Sequence, residues 1–293
     1  MKKIFSILVV ATLVLVGCEN SENIPVVEDG VMQIEVLHPS ATRATETAFE
    51  SGDIIGLYAT EYNGEVATPL QISGNWANNV AVAYNGTAWN PAKKIFWSDN
   101  KMDVYGYYPY MTPTSIDEHL WSVQLDQSTP ETDDSLSGYE ASDFLWGKAT
   151  GVSQTDGDVQ LEFKHRCSKL VVKLVKGEDY SGVLPTESEL YIHSTVPTAT
   201  VDFVNGAVVK DIYGEMKTIK ARRVDDGTFE AIIVPQRMET RRPFIEYIAN
   251  GVSYLYEGTF VFKAGKLHTL ELTINSNPDQ IEVEVGGNVD NWE

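Results

Sequence analysis

The chain has 293 residues, 43% of them hydrophobic, with 42 Asp and Glu against 22 Lys and Arg and a formal net charge of -20. That hydrophobic share is enough to fill real cores and excludes wholesale disorder, and the length predicts two domains. The acidity excludes nucleic-acid binding through clustered Lys and Arg and electrostatic docking on an anionic membrane, but it leaves a lipid anchor open.

Lys2 and Lys3 precede a 13-residue apolar run, Ile4 to Val16. A spanning helix needs ~20 such residues, so residues 1–17 read as a secretory signal removed before folding. The run ends in Leu15-Val16-Gly17-Cys18, which resembles a bacterial lipobox. The resemblance implies that Cys18 is lipidated and becomes the first residue of an exported outer-membrane lipoprotein; an ordinary signal peptide with a chance Cys is the alternative. Residues 18–30 are polar and acidic and read as a tether. With Cys18 spent on lipid, Cys167 is left alone, so no disulfide supports the fold.

The body reads as β throughout. Short runs of Val, Ile, Tyr, Phe and Thr are divided by Gly, Asn, Asp and Pro, and helical periodicity is nearly absent. Met32 to Val36 alternates and is a candidate first strand. Asn63-Gly64, Asn85-Gly86, Asn205-Gly206, Asp226-Gly227 and Asn250-Gly251 each sit between strand-like runs and predict type I′ hairpin turns. Residues 126–142, rich in Ser, Thr, Asp and Glu, read as a long exposed loop. Leu161, Phe163, His165 and Cys167 alternate onto one face, where a buried, inert thiol is expected. Phe229 to Val234 is a strand stopped by Pro235, and Leu270 to Ile274 and Ile281 to Val285 alternate as half-buried strands. Breakers between Lys176 and Pro185 suggest a division into an N-terminal domain, 31–178, and a C-terminal domain, 179–293. Antiparallel strands that bury one face predict β-sandwiches.

Chemistry is sparse. The five histidines show no zinc spacing, and the nucleophile elbow, P-loop and dinucleotide fingerprint are all missing, so no catalytic residue, metal site or cofactor is expected. His165 and Cys167 could pair as base and nucleophile only on paper, because no oxyanion donor can be named. Trp89, Trp97, Tyr105, Tyr107, Tyr108, Tyr110 and Trp121 could line a sugar platform or fill a core, and core packing is the stronger reading.

A set of segments resembles the fimbrillin-like subunits of type V pili. They are the lipobox, Ala41-Thr42-Arg43-Ala44-Thr45, Phe49 to Tyr58, Tyr84 to Pro91 with Ile95-Phe96-Trp97, Val104 to Pro109, Asp143 to Trp146, Leu161 to Arg166, Ile233 to Gln236 and Lys263 to Leu270. The resemblance implies two transthyretin-like antiparallel β-sandwich domains in tandem. It also implies a maturation route: an arginine-specific protease cuts near the N-terminus, the first strand leaves with the lipid, and a C-terminal strand of another pilin subunit fills the groove. Physically this is β-strand addition.

On that reading Arg43 is the processing site and residues 31–43 carry the removable first strand. Arg43 lies in a small polar stretch of the kind proteases cut, and it is the only Arg before Arg166; an uncut surface Arg is the alternative. Residues 281–293 are the candidate donor, with Ile281, Val283 and Val285 alternating and Trp292 locking register; an ordinary last strand is the alternative. Asp134-Ser135-Leu136 resembles the tripeptide that bacteria with such pilins O-glycosylate, which points to Ser135. The implied function is a structural, non-enzymatic subunit of a surface fimbrium in cell adhesion. The alternative is a glycan-binding surface lipoprotein that uses exposed aromatics.

Overall fold

The computed structural model of the chain describes residues 30–39, 48–133, 135–181, 183–275, 282–284 and 289–292. The described residues are all-β apart from two short 3-10 turns, Glu140–Ser142 and Gln154–Asp156. The strands are β1 (Ile34–Leu37), β2 (Ile54–Asn63), β3 (Val66–Ala67), β4 (Ala77–Tyr84), β5 (Trp89–Pro91), β6 (Met102–Tyr108) and β7 (His119–Ser122). They continue with β8 (Leu145–Val152), β9 (Val159–Glu162), β10 (Lys164–His165), β11 (Ser168–Lys176), β12 (Ser188–Thr195), β13 (Thr198–Asp202) and β14 (Ala207–Lys210). The last are β15 (Lys217–Lys220), β16 (Arg222–Arg223), β17 (Thr228–Ile233), β18 (Gln236–Ala249), β19 (Val252–Phe262), β20 (Lys266–Ile274), β21 (Glu282–Glu284) and β22 (Val289–Asn291).

The turn dipeptides account for five hairpins. All five expected pairs sit between antiparallel neighbours: β2 and β3, β4 and β5, β13 and β14, β16 and β17, β18 and β19. Only Asn250-Gly251 has positive φ at both positions, 51° and 75°, as a type I′ turn requires. At Asn85 the side-chain carbonyl instead accepts from the backbone N–H groups of Thr87 and Ala88, an Asx turn that reaches the same reversal by a different route.

One sheet runs β10-β8-β6-β2-β4-β5, with β3 beside β2. Its buried side packs Ile55, Leu57, Val82, Val104 and Leu145 against Met32, Ile34 and Val36 of the N-terminal segment, Leu161 of β9 and Phe163 just after it. A second sheet runs β16-β17-β11-β20, with β21 and β22 both on β20, and it packs against the sheet β15-β12-β18-β19. Leu170, Val172, Phe229, Leu270 and Leu272 on one side meet Leu190, Ile192, Ile245 and Tyr247 on the other. Fully burying each such side chain contributes about 1.5–3 kcal/mol, and in a chain without disulfides these apolar faces carry the fold. A small sheet, β14-β13-β7, joins β7 of the first half to strands of the second. β11, which precedes the expected division near residue 178, is hydrogen-bonded to β17 and β20.

Single buried residues pin the stretch 126–142, which the composition predicts to be an exposed loop. Gln127 is 1% exposed, and Tyr139 and Ser142 are fully buried. The Ser142 hydroxyl donates to the Gly138 carbonyl and accepts from the Gln124 amide. Sparse anchors of this kind leave a polar composition intact and hide from a pattern search.

Candidate functional site

β1 forms because Ile34 and Val36 alternate with Glu35 and Leu37, so one face can be buried while the other stays wet. It pairs in parallel with β9, Ile34 opposite Val159 and Val36 opposite Leu161. The Val159 N–H donates to the Gln33 carbonyl at 2.9 Å and the Phe163 N–H to the Leu37 carbonyl at 3.0 Å. On the other side the Met32 N–H donates to the Ile95 carbonyl at 2.8 Å, and the Trp97 N–H to the Gly30 carbonyl at 2.9 Å. The N-terminal segment thus bridges two parts of the fold, and Met32, Ile34 and Val36 are 1–8% exposed.

Arg43 lies outside the described residues. The residues on either side of that stretch are in contact, with the rings of His38 and Phe49 4.8 Å apart and edge-to-face. Phe49 also meets Trp89, Tyr108 and Phe163. Burial, the largest influence on His38, lowers its pKa below the ordinary histidine value.

At the other end of the chain, β21 and β22 both run antiparallel to β20. Val283 stands opposite Leu272, and Asn291 opposite Lys266. Ile281 and Val285 lie outside the described residues. The Trp292 N–H donates to the Gly265 carbonyl at 3.1 Å. Its indole is 8% exposed and lies flat on the His165 imidazole, with centroids 3.7 Å apart and planes 6° apart. The His165 Nδ1 is 2.9 Å from the Asp143 carboxylate. The His38 ring is 6.0 Å from the same imidazole.

β1 is parallel to β9, and β20, which carries β22 antiparallel, is parallel to β11. β10, which contains His165, lies between β9 and β11 in the chain. The C-terminal ends of β1 and β22 therefore both come to His165. Nothing local in the sequence announces this meeting of residues 38, 165 and 292; the alternation around His165 shows only that it is buried.

The remaining sequence-predicted residues are placed as follows. Cys18 and Asp134 lie outside the described residues. Ser135 is exposed, and its hydroxyl is 2.8 Å from the Thr132 hydroxyl in a mutual backbone bridge. Cys167 is fully buried, and burial drives its thiol pKa far up, which suits packing and not nucleophilic attack. Trp89, Tyr105, Tyr107 and Tyr108 are 1–9% exposed, so they fill cores and offer no sugar platform. Tyr110 of the same set is exposed, and Trp76, Phe96 and Tyr213 are open rings outside it. No helix among the described residues is long and apolar enough to cross a membrane.

The described residues define an all-β protein whose two terminal strands meet at His165. The chain belongs to the fimbrillin-like family, whose sequence profile matches residues 42–292. A candidate cell adhesion protein from Bacteroides uniformis shares the fold, with a TM-score of 0.66, 21% identity, and 91% of this chain and 99% of that one covered. A second candidate cell adhesion protein, from Bacteroides ovatus, gives a TM-score of 0.67 at 17% identity over 90% of this chain and 98% of that one. A fimbrial protein from Bacteroides ovatus gives 0.52 at 18% identity, over 85% of this chain and 51% of that one. No curated protein sequence matches the chain. Family membership makes the chain a fimbrial subunit of the cell surface that works with other fimbrial subunits in adhesion.

Proposed function

We propose that this chain is a structural subunit of a type V fimbrium, exported as an outer-membrane lipoprotein on Cys18, cut after Arg43 and assembled by strand donation. The observation that carries the reading is the N-terminal segment. It supplies Met32, Ile34 and Val36 to a core otherwise built from later strands, and it is held along both edges by backbone hydrogen bonds. Loss of such a segment strips apolar cover worth about 1.5–3 kcal/mol per side chain and leaves unpaired N–H and C=O groups, which an incoming strand can satisfy. Residues 281–293 are the donor, because their described parts already pair as a strand and end in an aromatic anchor. Under this reading 31–178 and 179–293 are two β-sandwich domains, with β11 of the first lending itself to the sheet of the second, and Ser135 on its exposed bridge is the O-glycosylation site.

Limited digestion with an arginine-specific protease tests the proposal. A single cut after Arg43, followed by ladders of SDS-resistant oligomers that a chain lacking residues 281–293 does not form, is the expected result. Cut chains that remain monomeric would overturn it.

A further inference from the structure

Two rings that the cores do not take, Trp76 and Phe96, are 46% and 50% exposed. A single open ring carries no meaning, but these two border one cavity of about 480 Å³, lined also by Val80, Lys93, Lys94 and Ile95. That volume lies within the range of small-ligand sites. None of the lining residues is acidic, in a chain with 42 Asp and Glu.

Both rings stand on fixed backbone. Trp76 immediately precedes β4, and Ala77 at the start of that strand stands opposite Ala59. Asn75 and Asn78 clasp the turn before it. The Asn75 backbone N–H and Nδ2 both donate to the Asn78 Oδ1 at 2.9 Å, and the Asn78 Nδ2 donates back to the Asn75 carbonyl at 3.2 Å. Phe96 bridges to Val31, while the Ile95 carbonyl and the Trp97 N–H on either side of it bond to Met32 and Gly30. The Trp76 Nε1 donates to the Phe96 carbonyl at 2.7 Å and ties the two walls together. That bond uses the indole's one polar group, so what the indole still offers is its face.

The lining combines ring faces with ammonium groups. A purely apolar partner would desolvate the Lys93 ammonium, which has no ion-pair partner among the described residues, and would supply no counter-charge. A simple inorganic anion would make no use of the rings. A saccharide answers both, with apolar C–H faces that stack on aromatic rings and a rim of polar groups. A carboxylate on that rim is the acceptor that an ammonium, a donor only, requires. The net charge of -20 works against such a ligand elsewhere on the surface, whereas the charged groups lining this cleft are all positive.

We propose that the cleft between Trp76 and Phe96 is a binding site for a carboxylate-bearing saccharide, with the two rings as its platform and Lys93 as the partner of the carboxylate. The site does not depend on strand donation, so it is tested on the uncut chain.

The test is calorimetry on the full, uncut chain with three probes: sialyllactose, a hyaluronan tetrasaccharide and lactose. At least one of the two acidic sugars is expected to bind saturably, and which of them binds more tightly tells a sialic acid from a uronic acid. Lactose, which has no carboxylate, should bind at least about tenfold more weakly (a factor of ten is ~1.4 kcal/mol). Trp76→Ala and Lys93→Gln should each weaken the acidic probe about tenfold or more. Lys93 is exposed, so its variant keeps the test decisive even if Trp76→Ala loosens the turn. Tyr213→Ala, at a ring that is 90% exposed outside the cleft, should leave binding unchanged. Failure of both acidic sugars to bind, equal binding of lactose, or binding unaffected by Lys93→Gln overturns the proposal. Binding that emerges only after residues 19–29 are deleted would make that acidic stretch the occupant in the intact chain, and overturns it as well.

Discussion

Gln127 exchanges two hydrogen bonds with the backbone of Ile232, 105 residues away: its Nε2 donates to the Ile232 carbonyl and its Oε1 accepts from the Ile232 N–H, both at 2.7 Å. The side chain stands in for a strand. β16 covers β17 only as far as Glu230, so beyond that point one edge of β17 would be bare. Replacing Gln127 with Leu keeps the volume and removes both partners. A buried group left unsatisfied costs about 1–3 kcal/mol, and two groups are exposed to that penalty here. The urea midpoint should fall, with little change in the slope of the transition. A midpoint within error of the parent would show that water takes over the bonds at no cost.

The same residue shows where the sequence stops being legible. Hairpins are local, so Asn250-Gly251 and the alternation on either side of it announce β18 and β19 without help. The burial of Leu161, Phe163, His165 and Cys167 follows from a period of two. Gln127 carries no such mark, since one buried glutamine in a polar stretch has no period. The pairing of β1 with β9 spans more than 120 residues, and its parallel sense cannot be read from either strand. The junction of His38, His165 and Trp292 combines three segments that are each unremarkable locally. Resemblance to a family supplied the roles of the terminal segments, and only the fold supplied their meeting point.

A buried ionic cluster gives the second prediction. Lys169 and Glu230, 3% and 4% exposed, face each other at 3.1 Å across β11 and β17, and the Arg222 guanidinium reaches Glu230 at 2.9 Å. Arg222 also lies 3.5 Å from the centroid of the Tyr139 ring. Glu230→Ala removes the carboxylate that both cations face and leaves the buried Lys169 ammonium without it. Breaking a buried pair in this way costs about 3–5 kcal/mol, far more than the loss of a surface pair. Thermal unfolding should register the loss, and Arg223→Ala, which breaks the more exposed pair with Asp226, serves as the contrast. Similar losses in both variants would refute the assignment of the cluster as buried and uncompensated.

Gly106 in β6 is set against the end of β9 and the residue just after it. A Cβ added there would lie 2.8 Å from both Leu161 Cδ1 and Phe163 Cε1, closer than real Cβ contacts come. The glycine's value here is absence of volume and not freedom of φ. Gly106→Ala should cost about 1–3 kcal/mol by overpacking. Because Leu161 pairs with Val36, the displaced segment also carries β1, and amide exchange over residues 34–37 should rise more than over β12 or β18. A uniform rise across the chain would mean that the clash is relieved globally and that β1 is not its first casualty.

Histidine burial sets the response to acid. The His268 ring is 3% exposed, and its Nε2 accepts the Lys263 N–H at 3.1 Å, a bond that only the unprotonated nitrogen can make. Burial first, and the Lys263 charge second, hold its pKa below the ordinary value of 6.5. Burial lowers His38 and His119 in the same direction. A folded-state pKa below the unfolded one means that the unfolded chain binds the proton more readily, so stability is full above the unfolded pKa and declines as pH falls through it towards the folded value. The urea midpoint should therefore drop between about pH 7.5 and pH 5.5, the range in which an unperturbed imidazole takes up its proton. His268→Gln keeps a side-chain acceptor and removes this titration, so its midpoint should fall less over the same interval. A variant whose pH slope matches the parent would remove His268 as a source of acid sensitivity.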